Sequence, residues 1–250
     1  MSTISLKATS STHLKHPEGA WEGLRHSTPG LLCVVHCDLR WAVLDKPAGL
    51  RTVTGPGSGG HDAIESRLAV AFPAATGPRI THRLDMETSG LLAVAFSRPA
   101  HRSLMRQFEH RRVGKDYAAI LQGEVLGDIG VIELPLAKDP DHHVRQRVDA
   151  AGRASRTLWR VVDRGVGASG PWSRVEFRPE TGRRHQLRVH AATPVEAGGL
   201  GCPILGDSLY GDPSAAPRLL LHAQKLAFWA PGTGNWGKFA SPVPFGPPLA

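Results

Sequence analysis

Apolar positions in this chain come in short blocks rather than long periodic stretches. Trp41-Ala42-Val43-Leu44 is followed by Lys46-Pro47-Ala48-Gly49, where proline and glycine signal a turn, so a short buried strand is expected there. Residues 91–96 are continuously apolar and short enough for a central strand. Tyr117, Ala119 and Leu121 alternate with smaller or polar neighbours, as do residues 155–162 and 173–178, which is the period-two signature of strands. Leu219-Leu220-Leu221 opens another strand candidate.

Helical spacing recurs in three places. Residues 61–72 set Ile64, Leu68 and Val70 or Ala71 near one face. Ser97 stands as an N-cap with Pro99 in the first turn, followed by an apolar stripe of Leu104, Met105 and Phe108. After Thr181-Gly182 the pattern puts Leu187, His190 and Ala191 on one face and Arg184 and Arg188 on another. Strands and helices interleave without a regular βαβ rhythm, which predicts an α+β fold: a mixed sheet with flanking helices.

Composition adds three constraints. A length of 250 residues fits one large domain or two small ones, and 28 glycines with 20 prolines favour many turns over long helices. The 30 Lys and Arg against 22 Asp and Glu leave a formal charge of +8, which favours polyanionic partners such as nucleic acid. The three cysteines, Cys33, Cys37 and Cys202, do not suggest a disulfide framework, and a reducing cytoplasm is expected. No run of apolar residues approaches a membrane span, and residues 1–20 lack the apolar core of a signal peptide. Residues 54–60 are glycine-rich, but no Gly-Lys-Ser/Thr follows, so they are not a nucleotide-binding P-loop.

Chemistry concentrates in two segments. Thr81-His82-Arg83-Leu84-Asp85-Met86-Glu87-Thr88-Ser89-Gly90 packs charges and hydroxyls directly before the apolar run at 91–96. Taken alone, Asp85 equally suits a turn cap or a partner for Arg83. Thr181-Gly182-Arg183-Arg184-His185-Gln186-Leu187-Arg188-Val189-His190 places cations at the start of a helix, against the macrodipole, which suits either anion recognition or a solvated basic face. Further cations, Arg98, Arg102, Arg106, Arg111, Arg112 and Lys115, follow the Ser97 cap.

These segments resemble the RluA family of pseudouridine synthases. His82-Arg83-Leu84-Asp85 with Thr88-Ser89-Gly90-Leu91 is similar to its active-site motif, and Lys46-Pro47-Ala48-Gly49-Leu50 to its first motif. Lys115-Asp116-Tyr117 resembles its Lys-x-Tyr element, and Thr181-Gly182-x-x-His185-Gln186-Leu187-Arg188-Val189-His190 its third motif. Gly206-Asp207-x-x-Tyr210 and Leu221-His222-Ala223 resemble its C-terminal ones. All six occur in the family's order, over roughly residues 38 to 245. The chain departs from the pattern at Asp45, where the family often has Asn, and at 192–199, a longer link than usual. No S4-type RNA-binding module is recognisable before residue 38, so the short members of the family are the best match.

The resemblance implies a largely antiparallel sheet core, a partly flexible extension over 1–37 and a catalytic domain over 38–250. It implies a cytoplasmic, monomeric enzyme that isomerises uridines in structured ribosomal or transfer RNA without metal or cofactor. Asp85 is implied as the essential carboxylate, attacking covalently or removing a sugar proton; either role needs it ionised. Arg188 is implied as its charge partner and Tyr117 as the ring that stacks on the target uracil. RNA contacts are expected from His82, Arg83, Arg106, Arg111, Arg112, Arg183 and Arg184. Two other readings stand beside this one. A metal hydrolase using His82, His185, His190 and His222 lacks any Cys-x-x-Cys or His-Glu-x-x-His pattern. A basic RNA-binding protein or chaperone on a degenerate synthase fold is opposed by the intact Asp85, Tyr117 and Arg188 set.

Overall fold

The computed structural model describes residues 32–55, 62–75, 77–167 and 170–246. Most of the 1–37 extension and of the glycine-rich loop at 54–60 therefore lies outside the described residues. The last residues of that extension form strand β1, Cys33–Cys37, which pairs antiparallel with β2, Trp41–Lys46, at the edge of the main sheet. The sheet continues through β3 (Ser89–Ala95), β4 (Gly114–Gln122), β5 (Ile129–Glu133), β8 (Arg156–Gly167), β9 (Gly170–Pro179) and β10 (Leu221–Trp229). Its order is β1-β2-β3-β10-β4-β9-β8-β5, with β11 (Trp236–Ala240) paired to β10. Strands β6 (Leu136–Lys138) and β7 (Gln146–Val148) form a separate ribbon. Among the described residues every pairing of named strands is antiparallel except β3 with β10, which run parallel through His222 opposite Ser89 and Ala223 opposite Gly90.

The fully apolar run in β3 is explained by what covers it. All seven residues are buried. Leu91, Ala93 and Ala95 pack into one cluster with Ala100 and Leu104 of helix α2, Arg98–Glu109. Leu92 and Val94 pack into another with Ile64 and Leu68 of helix α1, Ile64–Ala71. A strand covered on both faces needs apolar side chains at every position, not alternate ones. Burying a leucine such as Leu104 contributes about 1.5–3 kcal/mol. Beyond β4, a third cluster gathers Ile120, Val175, Phe177, Leu187 and Leu221 under helix α3, Gln186–Ala192.

The helix signals hold in outline and shift in detail. Ser97 caps α2, its hydroxyl accepting the Ala100 N–H. Met105 is exposed, and Gln107 takes the inner position instead, exchanging two hydrogen bonds with the Trp229 backbone. Helix α1 begins at Ile64 rather than 61, and Val70 is exposed. Arg184 and Arg188 do not share a face: Arg184 precedes α3 and is exposed, whereas Arg188 lies inside it and is buried. No helix among the described residues is long and apolar enough to cross a membrane.

Candidate active site

The segment 81–88 enters β3 as an irregular loop, so its backbone polar groups must find partners outside a ladder. The Thr81 hydroxyl donates to the Ala93 carbonyl, and the His82 Nε2 accepts the Ala93 N–H at 2.9 Å. Thr52 clamps Leu84, donating to its carbonyl at 2.8 Å and accepting its N–H at 3.2 Å. The Met86 carbonyl accepts both the Gly49 N–H and the Lys46 ammonium. Lys46 is fully buried and also donates to the carbonyls of Pro47 and Leu50. Burial, with Arg218 nearby, presses its pKa down to about 7, while the charge of Asp85 pulls it back. Three carbonyl acceptors match the three protons of an ammonium, where an amine has only two, and this favours the charged form. The Lys46-Pro-Ala-Gly turn is thus the buttress of the loop that carries Asp85.

Asp85 points into a recess of about 100 Å³ that opens to a cleft of about 1080 Å³. Tyr117 from β4 and Arg188 from α3 line the same recess, so three residues far apart in sequence meet there. Burial first, and then the charge of Asp85, push the Tyr117 phenol above its usual range, so the ring stays neutral. The Thr88 hydroxyl also lines the recess, buried and with no hydrogen-bond partner among the described residues.

Arg188 does not pair directly with Asp85. Its guanidinium makes a bidentate hydrogen bond to Asp207 at 2.8 and 2.5 Å, and Glu87 completes an ion pair with it at 2.9 Å. Burial opposes its charge, but the Asp207 bond and the charges of Asp207, Asp85 and Glu87 outweigh that and raise its pKa. The same Asp207 oxygen accepts the N–H groups of Leu209 and Tyr210, which fixes the Gly-Asp-x-x-Tyr turn. Glu87 accepts from Ser208, so the Asp85 loop is tied to that turn as well. Among the described residues the ion-pair contact of Asp85 is with His185, whose Nε2 lies 3.9 Å from Oδ1. Asp207, Glu87, His185 and Tyr210 all lie inside the recognised motifs, but their pairings are tertiary and no spacing in the sequence reveals them.

The basic residues divide. Arg83, Arg111, Arg183 and Arg184 line the cleft, joined there by Lys115, Arg51 and Arg153. Arg106 and Arg112 are exposed but do not line it. His82 borders the cleft, yet its Nε2 is engaged by backbone and its ring stacks on Phe108 at 4.3 Å. Burial, then Lys115, lower its pKa to about 3, so it is neutral. The four histidines of the metal reading are dispersed: His190 bonds Ser155, and His222 bridges Ser89 and Ser241. Among the described residues no group of three or more His, Cys, Asp or Glu is placed to hold a metal ion. Asp45 accepts from the Ser241 hydroxyl, at the end of that same buried chain from Ser89.

A mixed sheet that hangs one aspartate from a buttressed loop inside a basic cleft corresponds to a known group of enzymes. A model of the RNA pseudouridylate synthase family matches residues 40–193, and the chain belongs to that family of RNA-modifying isomerases. Within it, the chain is 39% identical over 226 residues to the dual-specificity RNA pseudouridine synthase RluA of Pasteurella multocida, covering 87% of this chain and 96% of the relative. It is 38% identical over 218 residues to the protein of the same name from Escherichia coli K12, covering 86% and 94%. The fold is similar to that of human RNA Pseudouridylate Synthase Domain Containing 1, with a TM-score of 0.72, 30% identity and 88% of each chain covered.

Proposed function

We propose that this enzyme isomerises uridines in both ribosomal and transfer RNA, with Asp85 as the reacting carboxylate, acting as a monomer in the cytoplasm. One observation carries the reading: Asp85, Tyr117 and Arg188 line a single recess at the bottom of a basic cleft, all supplied by one chain. In the reaction the N1–C1′ bond of uridine breaks, the uracil turns, and C5 bonds to C1′; C5 gives up its proton and N1 gains one. Nothing is oxidised and no group leaves the nucleotide.

A base stacked in an RNA loop cannot enter a recess this narrow, so the target nucleotide is flipped out, at a cost of a few kcal/mol. Arg83, exposed beside Asp85, fills or props the vacated stack. Arg111, Arg183 and Arg184 at the rim hold phosphates. Arg106 and Arg112 reach phosphates of the flanking stem outside the cleft, and His82 contributes by holding the Asp85 loop. Tyr117 stacks on the uracil as a neutral phenol. Arg188 supplies positive charge to the recess, while Asp207 and Glu87 hold it in place.

The test is a map of pseudouridines in ribosomal and transfer RNA from cells with the gene, without it, and with Asp85→Asn. Sites in both RNA classes should vanish without the gene and stay absent with Asp85→Asn, which should still bind RNA. Loss from one class alone refutes the dual substrate. Purified Asp85→Asn with activity within about tenfold of wild type removes Asp85 from its role.

A further inference from the structure

His185 and Tyr210 stand in two different motifs, and neither is needed by the reading above. His185 is the residue before α3 and holds a left-handed backbone, φ 54°, that a non-glycine residue adopts only when its surroundings require it. Its Nδ1 lies 2.8 Å from the Tyr210 hydroxyl and its Nε2 faces Asp85. The hydroxyl is already committed on one side, because it accepts the N–H of Gln146 in β7 at 2.7 Å. The Tyr210 ring is flanked by two guanidinium groups, Arg145 at 5.7 Å and Arg188 at 5.5 Å, which have no acceptor to offer.

Hydrogen-bond arithmetic then selects one tautomer. A phenol has one proton to give. If the imidazole donated from Nδ1, the hydroxyl would receive two protons and its own would have no acceptor among the described residues. If the hydroxyl donates to Nδ1, its proton has an acceptor, and the neutral imidazole carries its hydrogen on Nε2, on the side that faces the Asp85 carboxylate 3.9 Å away.

We infer that His185 is a positioning residue for Asp85: Tyr210 fixes its tautomer so that Nε2–H holds the carboxylate in its reactive orientation. The inference rests on Asp85 being the reacting group. The neutral form suits this role, since it presents one N–H toward the carboxylate while Nδ1 stays free to accept from Tyr210. Burial, together with Arg188 and Arg184, keeps His185 below its ordinary pKa, against the opposing pull of Asp85 and Asp207. Gln146 belongs to the β6–β7 ribbon, so the ribbon, through Tyr210, is in register with the catalytic group.

The experiment compares Tyr210→Phe, His185→Gln and His185→Ala with wild type, on an RNA stem-loop substrate, and records the imidazole 15N shifts. Wild type should show His185 protonated at Nε2, and Tyr210→Phe a mixture of tautomers. In both Tyr210→Phe and His185→Ala, kcat should fall about 10- to 100-fold with KM nearly unchanged, as expected when a 3.9 Å contact that closes to a hydrogen bond on a charged group with RNA bound is lost. His185→Gln, whose amide nitrogen reaches the Nε2 position, should recover most of the rate. The inference is overturned by an unchanged tautomer in Tyr210→Phe, or by a loss that appears in KM alone. It is equally overturned if Gln is no better than Ala. Should His185→Ala fail to fold, the tautomer and rate of Tyr210→Phe decide. An active Asp85→Asn enzyme would instead refute the functional reading, which keeps the two failures apart.

Discussion

The pair formed by Arg188 and Asp207 permits a quantitative test of how the recess is held. Both side chains are almost fully buried, so neither charge has water to fall back on. Asp207→Asn keeps the volume, and the amide oxygen still accepts from Leu209 and Tyr210, so the turn survives. What disappears is the negative charge and the second acceptor, and the new NH₂ faces a guanidinium N–H. Breaking a buried ion pair from one side costs about 3–5 kcal/mol. For a chain of this size each kcal/mol lowers Tm by about 2–4 °C, so a fall of about 6–20 °C is expected. Circular dichroism melts and urea midpoints measure it. Adding Arg188→Met to Asp207→Asn removes the buried cation left with Glu87 alone and should recover at least about 1.5 kcal/mol, while activity stays lost. A Tm for Asp207→Asn within about 2 °C of wild type, or a double variant no more stable than the single, refutes the reasoning. Glu87 would then be the residue that holds Arg188.

Three further outcomes are expected. Tyr117→Phe should fold, hold RNA and lose turnover if the hydroxyl moves a proton, whereas Tyr117→Ala loses a stacking surface worth about 1–3 kcal/mol; a fully active Phe variant beside an Ala variant that melts early would make Tyr117 a packing residue. Lys115 lines the cleft with its pKa lowered to about 8 by burial and by Arg111, so it loses its charge as pH rises through that value. RNA affinity should accordingly weaken between about pH 7 and 9, and Lys115→Gln should flatten that step; an identical step in the variant assigns it elsewhere. Gly90 has φ 113°, and a Cβ there would stand 2.4 Å from the Ala223 carbonyl oxygen, so Gly90→Ala must push β3 from β10. A destabilisation of about 2 kcal/mol or more in urea should follow, and an unchanged midpoint would contradict the geometry.

The elements legible in the sequence are those whose burial is uniform or alternates. The run at 91–96 was readable because β3 is covered on both faces; β4 is likewise buried at every position from 118 to 121, so the alternation around Tyr117 marks the strand but not its burial. Strands β5, β6 and β7 are short and half-exposed; β6 and β7 have no composition that separates them from loop, and the β-branched residues of β5 are broken by Gly130. Position 105 was misread because a stripe rule assigns the apolar Met to the core, while Gln107 earns burial through two bonds to a backbone 122 residues away. The site shows the same division. Asp85, Tyr117 and Arg188 were legible as motif members, and so were the rim arginines Arg83, Arg183 and Arg184. That Arg188 answers to Asp207 and Glu87 rather than to Asp85 was not, because a guanidinium selects its partner by distance in three dimensions. The basic-face reading of Arg188 failed for the same reason: the carboxylate that makes its burial tolerable arrives 19 residues later.

Strand β10 sits in the middle of the sheet although it comes late in the chain. In the sheet it is the only strand between the half that carries Asp85, β1 to β3, and the half that carries Tyr117 and leads into Arg188, β4 to β9. Until residues past 220 are made, the sheet cannot join the two halves, and side-chain ties such as those from Glu87 to Arg188 and Ser208 are left to span them. Joining them is a long-range event, which is slow compared with forming either half. Activity should consequently switch on in one step as that last central strand slots home, and a truncated translation product has no assembled recess with which to modify RNA.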